Sequence, residues 1–387
     1  MKNSYFFSQP HQPFFILAFI NAILSMILFM LAFKGTISLT LIPSSFHAYA
    51  LIFLLFTPAF LAFIFTTYPR FSSTPSIEKE VYLKIFTLFS LGSLFFIVGA
   101  LTNETLYTLG MLITLGANLW AVKVLETINS DSQIDDKHDI NWILIAMIIG
   151  LISHMLFITG HIFWLPIEGF SIQIAIYLYL FLLAFSIAQR MVPFFSHSMV
   201  EKNPYLLKTV AIFLLLHVIF EALYPHSSFI VDLLTALIIG KELLRWKLPF
   251  PNPNPLLWIL HLSLYWIPVA FLFGAMSNLI SLIDGTFFLA LDIHILVLGF
   301  IFTILIGFGT RVTLGHSGNM MVADRWVVIL FNMTQVVVLL RLITSMVSAW
   351  GWNFMILFDI SVTAWLLLFG LWAIRFFKTL IFIKKID

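Results

Sequence analysis

The chain has 387 residues, 61% of them hydrophobic and 10% charged, with a net charge of +2 and no cysteine. A soluble domain carries about 25% charge, so this composition excludes a soluble fold and implies an all-α integral membrane protein whose helices satisfy their own backbone in lipid. The lack of cysteine excludes disulfides, iron–sulfur clusters, blue-copper sites, thiolate haem and covalent C-x-x-C-H haem, and the small loops leave no room for a nucleotide domain or a nucleic-acid surface.

A span needs about 20 apolar residues. Spans are predicted over 14–33, 46–68, 82–101, 105–128, 141–163, 170–192, 204–224, 229–247, 256–280, 287–313, 326–348 and 353–377. No small-residue cleavage site follows the first apolar run, so it reads as a retained span. Proline, glycine and polar clusters mark the breaks, at Ser72–Ser76, Ser130–Asn141, Pro193–Pro204, Pro249–Pro255 and Gly315–Asp324. Pro58 and Pro268 fall inside spans and are predicted to kink them. The loops are too short to fold alone, so 1–387 reads as a single polytopic domain, twelve helices in one bundle. The only echo within the chain is weak: Arg190 before His197-Ser198, and Arg311 before His316-Ser317.

Orientation follows the basic residues. With twelve spans, Lys34 and Arg341 alone fall on one side and the other eighteen of the twenty Lys and Arg fall with the termini. The expectation is a bacterial inner-membrane protein with both termini cytoplasmic.

Polar side chains inside spans are costly and normally face a partner, a cavity or a cofactor. Six of the eleven histidines lie within or beside spans: His47, His154, His161, His217, His261 and His294. Imidazole is the commonest metal ligand, so the pattern suggests haem, metal or proton chemistry. At 1.5 Å per residue, His217, His294, His154, Arg341 and Asp359 reach one depth, roughly 10 Å below the outer surface. In the functional reading His217 and His294 are opposed axial ligands of a non-covalent, b-type haem, with Arg341 on a propionate. His47, His154 and His161 are then candidates for a second metal. His154 and His161 are seven apart, about 10 Å along the axis, too far to share one ion. The bland reading is a set of interhelical hydrogen bonds with an Arg341–Asp359 ion pair. Glu221 shares a face with His217, and Asp232 and Asp292 lie nearer the rim. A second layer, His261, Arg311, His316, Arg190 and His197, lies at the cytoplasmic side, where it could hold a quinone, a lipid headgroup or haem propionates. His11, His138 and His226 read as loop residues.

The stretches NPLLWILHLSLYWIP (254–268) and HILVLGFIFTILIGFGTRVTLGHSGN (294–319) resemble the NnrS family of bacterial inner-membrane proteins, patterned P-L-L-W-x-L-H-L-x-Y, H-A-L-x-V-G and M-x-R-x-x-L-G-H-T-G-R. QRMVPFF (189–195) is similar to the family's G-R-x-x-P-x-F-T, FHAYALIF (46–53) to its W-H-x-H-E-M-x-F, and Arg341 to an arginine of its eleventh span. The resemblance implies haem and copper, a link to nitric oxide tolerance and denitrification, and importance for His47, His261, His294, His316, Arg190, Arg311 and Arg341. Three departures stand out. Tyr49 and Ala50 replace the second histidine and the glutamate of the W-H-x-H-E-M element, Gln189 replaces a glycine, and Asn319 replaces an arginine. Haem without copper, or neither, is what the first departure implies. The alternatives are a transporter of a small solute or metal using the same polar layer, or a quinol-linked redox protein.

Overall fold

The computed structural model describes residues 5–382. Within them the chain forms twelve long helices, here numbered α1–α12: His11–Phe33, Pro43–Phe71, Lys79–Thr102, Glu104–Asp131, His138–Ile162, Glu168–Phe195, Leu206–Leu223, Phe229–Trp246, Pro255–Asp284, Leu291–His316, Arg325–Ala349 and Met355–Phe382. Each overlaps one of the spans expected from the sequence, with ends that differ by at most five residues. Eleven are long and apolar enough to cross a membrane. The exception is α8, whose eighteen residues carry Asp232, Lys241, Glu242 and Arg245.

Local chemistry sets the helix ends. The side chains of Asn103, Asn254 and Asp324 accept the backbone N–H of Leu106, Leu256 and Val327, capping α4, α9 and α11. Gly285, at φ +75°, ends α9 in the left-handed conformation that glycine adopts without strain. His11, expected in a loop, instead opens α1 and is buried; Gln12 beside it accepts from Gln9 N and Ser8 Oγ and folds the preceding turn onto the helix.

Three helices contain a π-helical stretch: α2 at Ala50–Phe56, α6 at Ile174–Phe181 and α10 at Leu296–Phe302. They recur every fourth helix and are the most enclosed, at 89%, 83% and 78% buried against at most 56% for the others. In α2 the cause is legible. Pro58 has no N–H to offer the carbonyl four residues back, that of Leu54. Asn21 of α1 donates to that carbonyl at 2.8 Å and also to Ser93 Oγ at 2.9 Å, tying α1, α2 and α3 together. Thr57 and Thr303 follow two of the stretches, each hydroxyl donating five residues back, to Ile52 O and Leu298 O.

Two compact units emerge from the packing, each discontinuous in sequence. Unit one holds α1–α5, α6 to Ala175, α10 from Val312 and α12 from Phe369. Its tightest contact is α3 on α4, where Gly92, Gly99 and Gly110 let the backbones meet; a Cβ at any of them would strike Thr114, Tyr107 or Phe96 respectively. Phe19 stacks on Trp372 at 4.2 Å. Unit two holds α6 from Ile176, α7–α9, α10 to Arg311, α11 and α12 to Leu368. There α8 packs most extensively on α9, Gly299 of α10 lies against Trp266 of α9, and Phe181, Phe271 and Phe300 join α6, α9 and α10 edge to face.

Candidate functional site

In unit two the turn before α10 sets the geometry. Leu289 and Ala290 both have positive φ, +49° and +51°, a conformation costly for residues with a Cβ. Their carbonyls are held by side chains. Arg341 Nη2 donates to Leu289 O at 2.7 Å, while its Nη1 donates to Ser345 Oγ. His294 Nδ1 lies 2.7 Å from Ala290 O, the arrangement of a ring N–H donating to a carbonyl. The Arg341 guanidinium stands 3.2 Å from the same ring. Arg341 therefore clamps a strained turn beside His294.

Asp292 and His294 are two residues apart and so leave α10 in nearly opposite directions. Asp292 faces α6, where Tyr177 OH donates to its Oδ2 at 3.0 Å. The Tyr177 ring lies on His217 of α7, centroids 3.9 Å apart. His217 Nδ1 meets Asp232 Oδ1 of α8 at 2.6 Å, both side chains 1% exposed. Asp232 Oδ2 accepts from Ser228 Oγ at 2.8 Å and from Asn278 Nδ2 of α9 at 3.1 Å. Glu221 accepts the N–H groups of His226 and Ser228 and so caps the start of α8. Five helices thus converge on one buried cluster, beside a narrow crevice lined by Tyr177, Asp232, Ala270, Phe271, Gly274, Asp292 and Leu296. Within the cluster, His217 Nε2 is buried with no hydrogen-bond partner. The expectation that His217 and His294 face each other across one iron meets an obstacle: His217 sits on the Asp292 side of α10, and His294 turns toward α11.

The remaining unit-two residues divide by role. His261 is fully buried with both nitrogens engaged: Nδ1 donates to Pro249 O at 3.0 Å and Nε2 accepts from Ser196 Oγ at 2.6 Å. It pins the loop before α9 to the end of α6. The Arg311 guanidinium lies 4.3 Å over the Phe195 ring. Arg190 is half-buried near the end of α6.

In unit one the expected metal set is not gathered. His154 is fully buried, its Nε2 2.9 Å from Tyr49 OH and its ring stacked on Phe53 at 4.0 Å. Tyr49 stands where a histidine was expected from the resemblance, so a phenol now meets the imidazole. His161, two turns along α5, has its own phenol, Tyr107 OH at 2.6 Å. His47 stacks on Phe29 at 4.2 Å. Among the described residues no three His, Asp or Glu side chains are arranged to hold a metal ion. His316 lies 4.8 Å from the ring of His11, whose Nδ1 is buried without a partner.

Sequence reading missed Tyr107 and Tyr177, and marked Tyr49 only as a departure from the family pattern. Each of the three meets a histidine on another helix. Asn278 was equally silent. The i,i+4 pair His217–Glu221 and the acids Asp232 and Asp292 were visible as ionisable residues in apolar runs, but not as one cluster.

A family model described as NnrS protein matches residues 5–383 of the chain. No curated protein matches it.

Proposed function

The chain belongs to the NnrS family, and on that premise we propose that it is a haem-binding protein of the inner membrane acting in the response to nitric oxide. The observation that carries this reading is the setting of His294. A ligating histidine characteristically gives its other ring N–H to a carbonyl or carboxylate, which fixes tautomer and direction. His294 does so through Ala290 O, which sets the direction of its ring. Arg341 beside it is the kind of cation a propionate needs. These residues fit a b-type haem: His294 would hold it and Arg341 would anchor its acidic edge. When bound, haem iron supplies a coordination position for nitric oxide. The protein's own part is to orient the imidazole and to keep the strained turn closed.

Copper does not fit as well. At the position where the family pattern carries a second histidine, Tyr49 bonds His154, and no third donor joins them. The quinol reading loses its imidazole, because both nitrogens of His261 are occupied.

All twelve helices cross the membrane in this reading. Three of the four charges of α8 have a place: Asp232 lies in the buried cluster, and Glu242 pairs with Arg245 at 2.5 Å in the last turns. Lys241, exposed, sits in those same last turns. Twelve spans and the skew of basic residues support cytoplasmic termini.

The test is the absorption spectrum of the purified protein with metal analysis. A Soret band that is lost or shifted in His294→Ala and retained in His138→Ala supports the reading. An unchanged band in His294→Ala moves the ligand elsewhere. A colourless wild-type protein leaves the small-solute or metal transporter as the better reading.

A further inference from the structure

The haem reading uses the α11 side of α10 and leaves the cluster on its other side unexplained. That cluster has an unusual charge balance. The groups facing His217 are Tyr177 of α6, Glu221 of its own helix, Asp232 of α8 and Asp292 of α10, with the neutral Asn278 of α9 one step behind. Three are carboxylates. Among the described residues no lysine or arginine pairs with any of them. Asp232 is 1% exposed, and a carboxylate so enclosed in a membrane domain needs a positive partner; the one candidate in reach is the imidazole of His217.

The hydrogen bonds say where a proton can sit. Asp232 acts only as an acceptor: Oδ1 faces His217 Nδ1, and Oδ2 receives Ser228 Oγ and Asn278 Nδ2. Asp292 Oδ2 accepts from Tyr177. With donors converging on Asp232, its oxygens are poorly placed to ligate a metal cation. Nδ1–H is committed to Asp232, so the one uncommitted nitrogen is Nε2, buried and without a partner. A neutral Nε2 wants a donor and a protonated one wants an acceptor, so either form calls for a transient guest. A narrow crevice lies between Asp232 and Asp292, and His217 is not among the residues that line it. It exists because residue 274 is glycine: a Cβ there would stand 3.3 Å from the Asp292 Cβ and 3.6 Å from Asp232 Oδ2.

We propose that the His217–Asp232 pair is a proton-binding site inside the membrane domain, with His217 Nε2 as the atom that gains and releases the proton. In loading, an N–H bond forms at Nε2 as a hydronium ion gives up its proton and becomes water. Nδ1–H stays on its carboxylate, and the new charge is balanced by Asp232 at 2.6 Å. Release is the reverse. The ligand is a proton, and the site is independent of whether haem is bound at His294.

The experiment uses the full-length protein in lipid nanodiscs with ¹⁵N-labelled histidine, read by solid-state NMR from about pH 5 to about pH 8, where imidazoles change charge. One histidine signal converts between neutral and doubly protonated forms, is absent in His217→Gln, stops converting in Asp232→Asn and still converts in Asp232→Glu. The glutamate variant keeps the carboxylate and guards against reading misfolding as loss of the site. A His217 signal that never changes form across this range overturns the proposal. So does a signal that responds to sodium at fixed pH, which would make the site a cation site. So does a Soret band lost in His217→Gln, which would make the imidazole an iron ligand.

Discussion

Replacing Arg341 by lysine tests the clamp on the turn before α10. Two consecutive residues with a Cβ sit there in the left-handed region, Leu289 at φ +49° and Ala290 at +51°. Each costs about 1–2 kcal/mol, so the turn stores roughly 2–4 kcal/mol. A hydrogen bond from a charged donor returns about 1.5–3 kcal/mol, and Arg341 makes one to Leu289 O while its other arm holds Ser345. Lysine has no planar fork and cannot serve both acceptors. Arg341→Lys is therefore expected to destabilise by about 1.5–3 kcal/mol. Ala290→Gly should relieve about 1–2 kcal/mol of strain, offset by about 0.4–1 kcal/mol of added unfolded-state entropy. Alone it should be neutral or mildly stabilising, where Ala→Gly ordinarily costs stability. In the Arg341→Lys background it should recover part of the loss. Denaturant titration in mixed micelles, followed by tryptophan fluorescence, gives the four values of the cycle. A neutral Arg341→Lys, or an Ala290→Gly that loses more than about 1 kcal/mol, would mean that the turn is held by something other than this bond.

Asn21→Leu should cost about 1–3 kcal/mol by stranding the Leu54 carbonyl, and Pro58→Ala, which restores a backbone donor to that carbonyl, should return part of it in the same titration. Gly99→Ala should destabilise by about 1–3 kcal/mol because its Cβ meets the Tyr107 backbone; Gly116→Ala, with nothing within 4 Å, should be neutral or gain up to about 1 kcal/mol. Equal effects would place the α3–α4 contact elsewhere. Tyr49→Phe should cost about 1–3 kcal/mol by leaving His154 without its phenol, and the double variant with His154→Phe should cost less than the sum; strict additivity would show the bond to be idle. A reporter active only in the periplasm should be silent when fused after Asp387, and activity there would reverse the topology.

The sequence by itself determined the class of the protein, its helices and its family. Apolar runs of span length have one solution in lipid, a helix that closes its own hydrogen bonds, so twelve segments could be placed from hydropathy and proline, glycine and polar breaks alone. The stretch 254–319 carries enough fixed positions to point to NnrS by its residues alone. It could not say which polar residues meet. Depth along a helix follows from counting, and on that measure His217, His294, His154 and Arg341 formed a single layer. Direction around the axis and the identity of the neighbour decide the chemistry, and these depend on packing. Two residues of separation send Asp292 toward Tyr177 and His217 while His294 turns to Arg341. Tyr107 and Tyr177 look like ordinary aromatics until a histidine on another helix lies within reach of the hydroxyl or ring, and Tyr49 showed only as a replacement until His154 met its hydroxyl. The π stretches in every fourth helix left no repeat in the residue pattern; in α2 the carbonyl that Pro58 cannot serve is met by Asn21, a residue of another helix. Only the tertiary structure could divide the one expected layer into a clamped imidazole at His294 and a closed acid–imidazole cluster around His217.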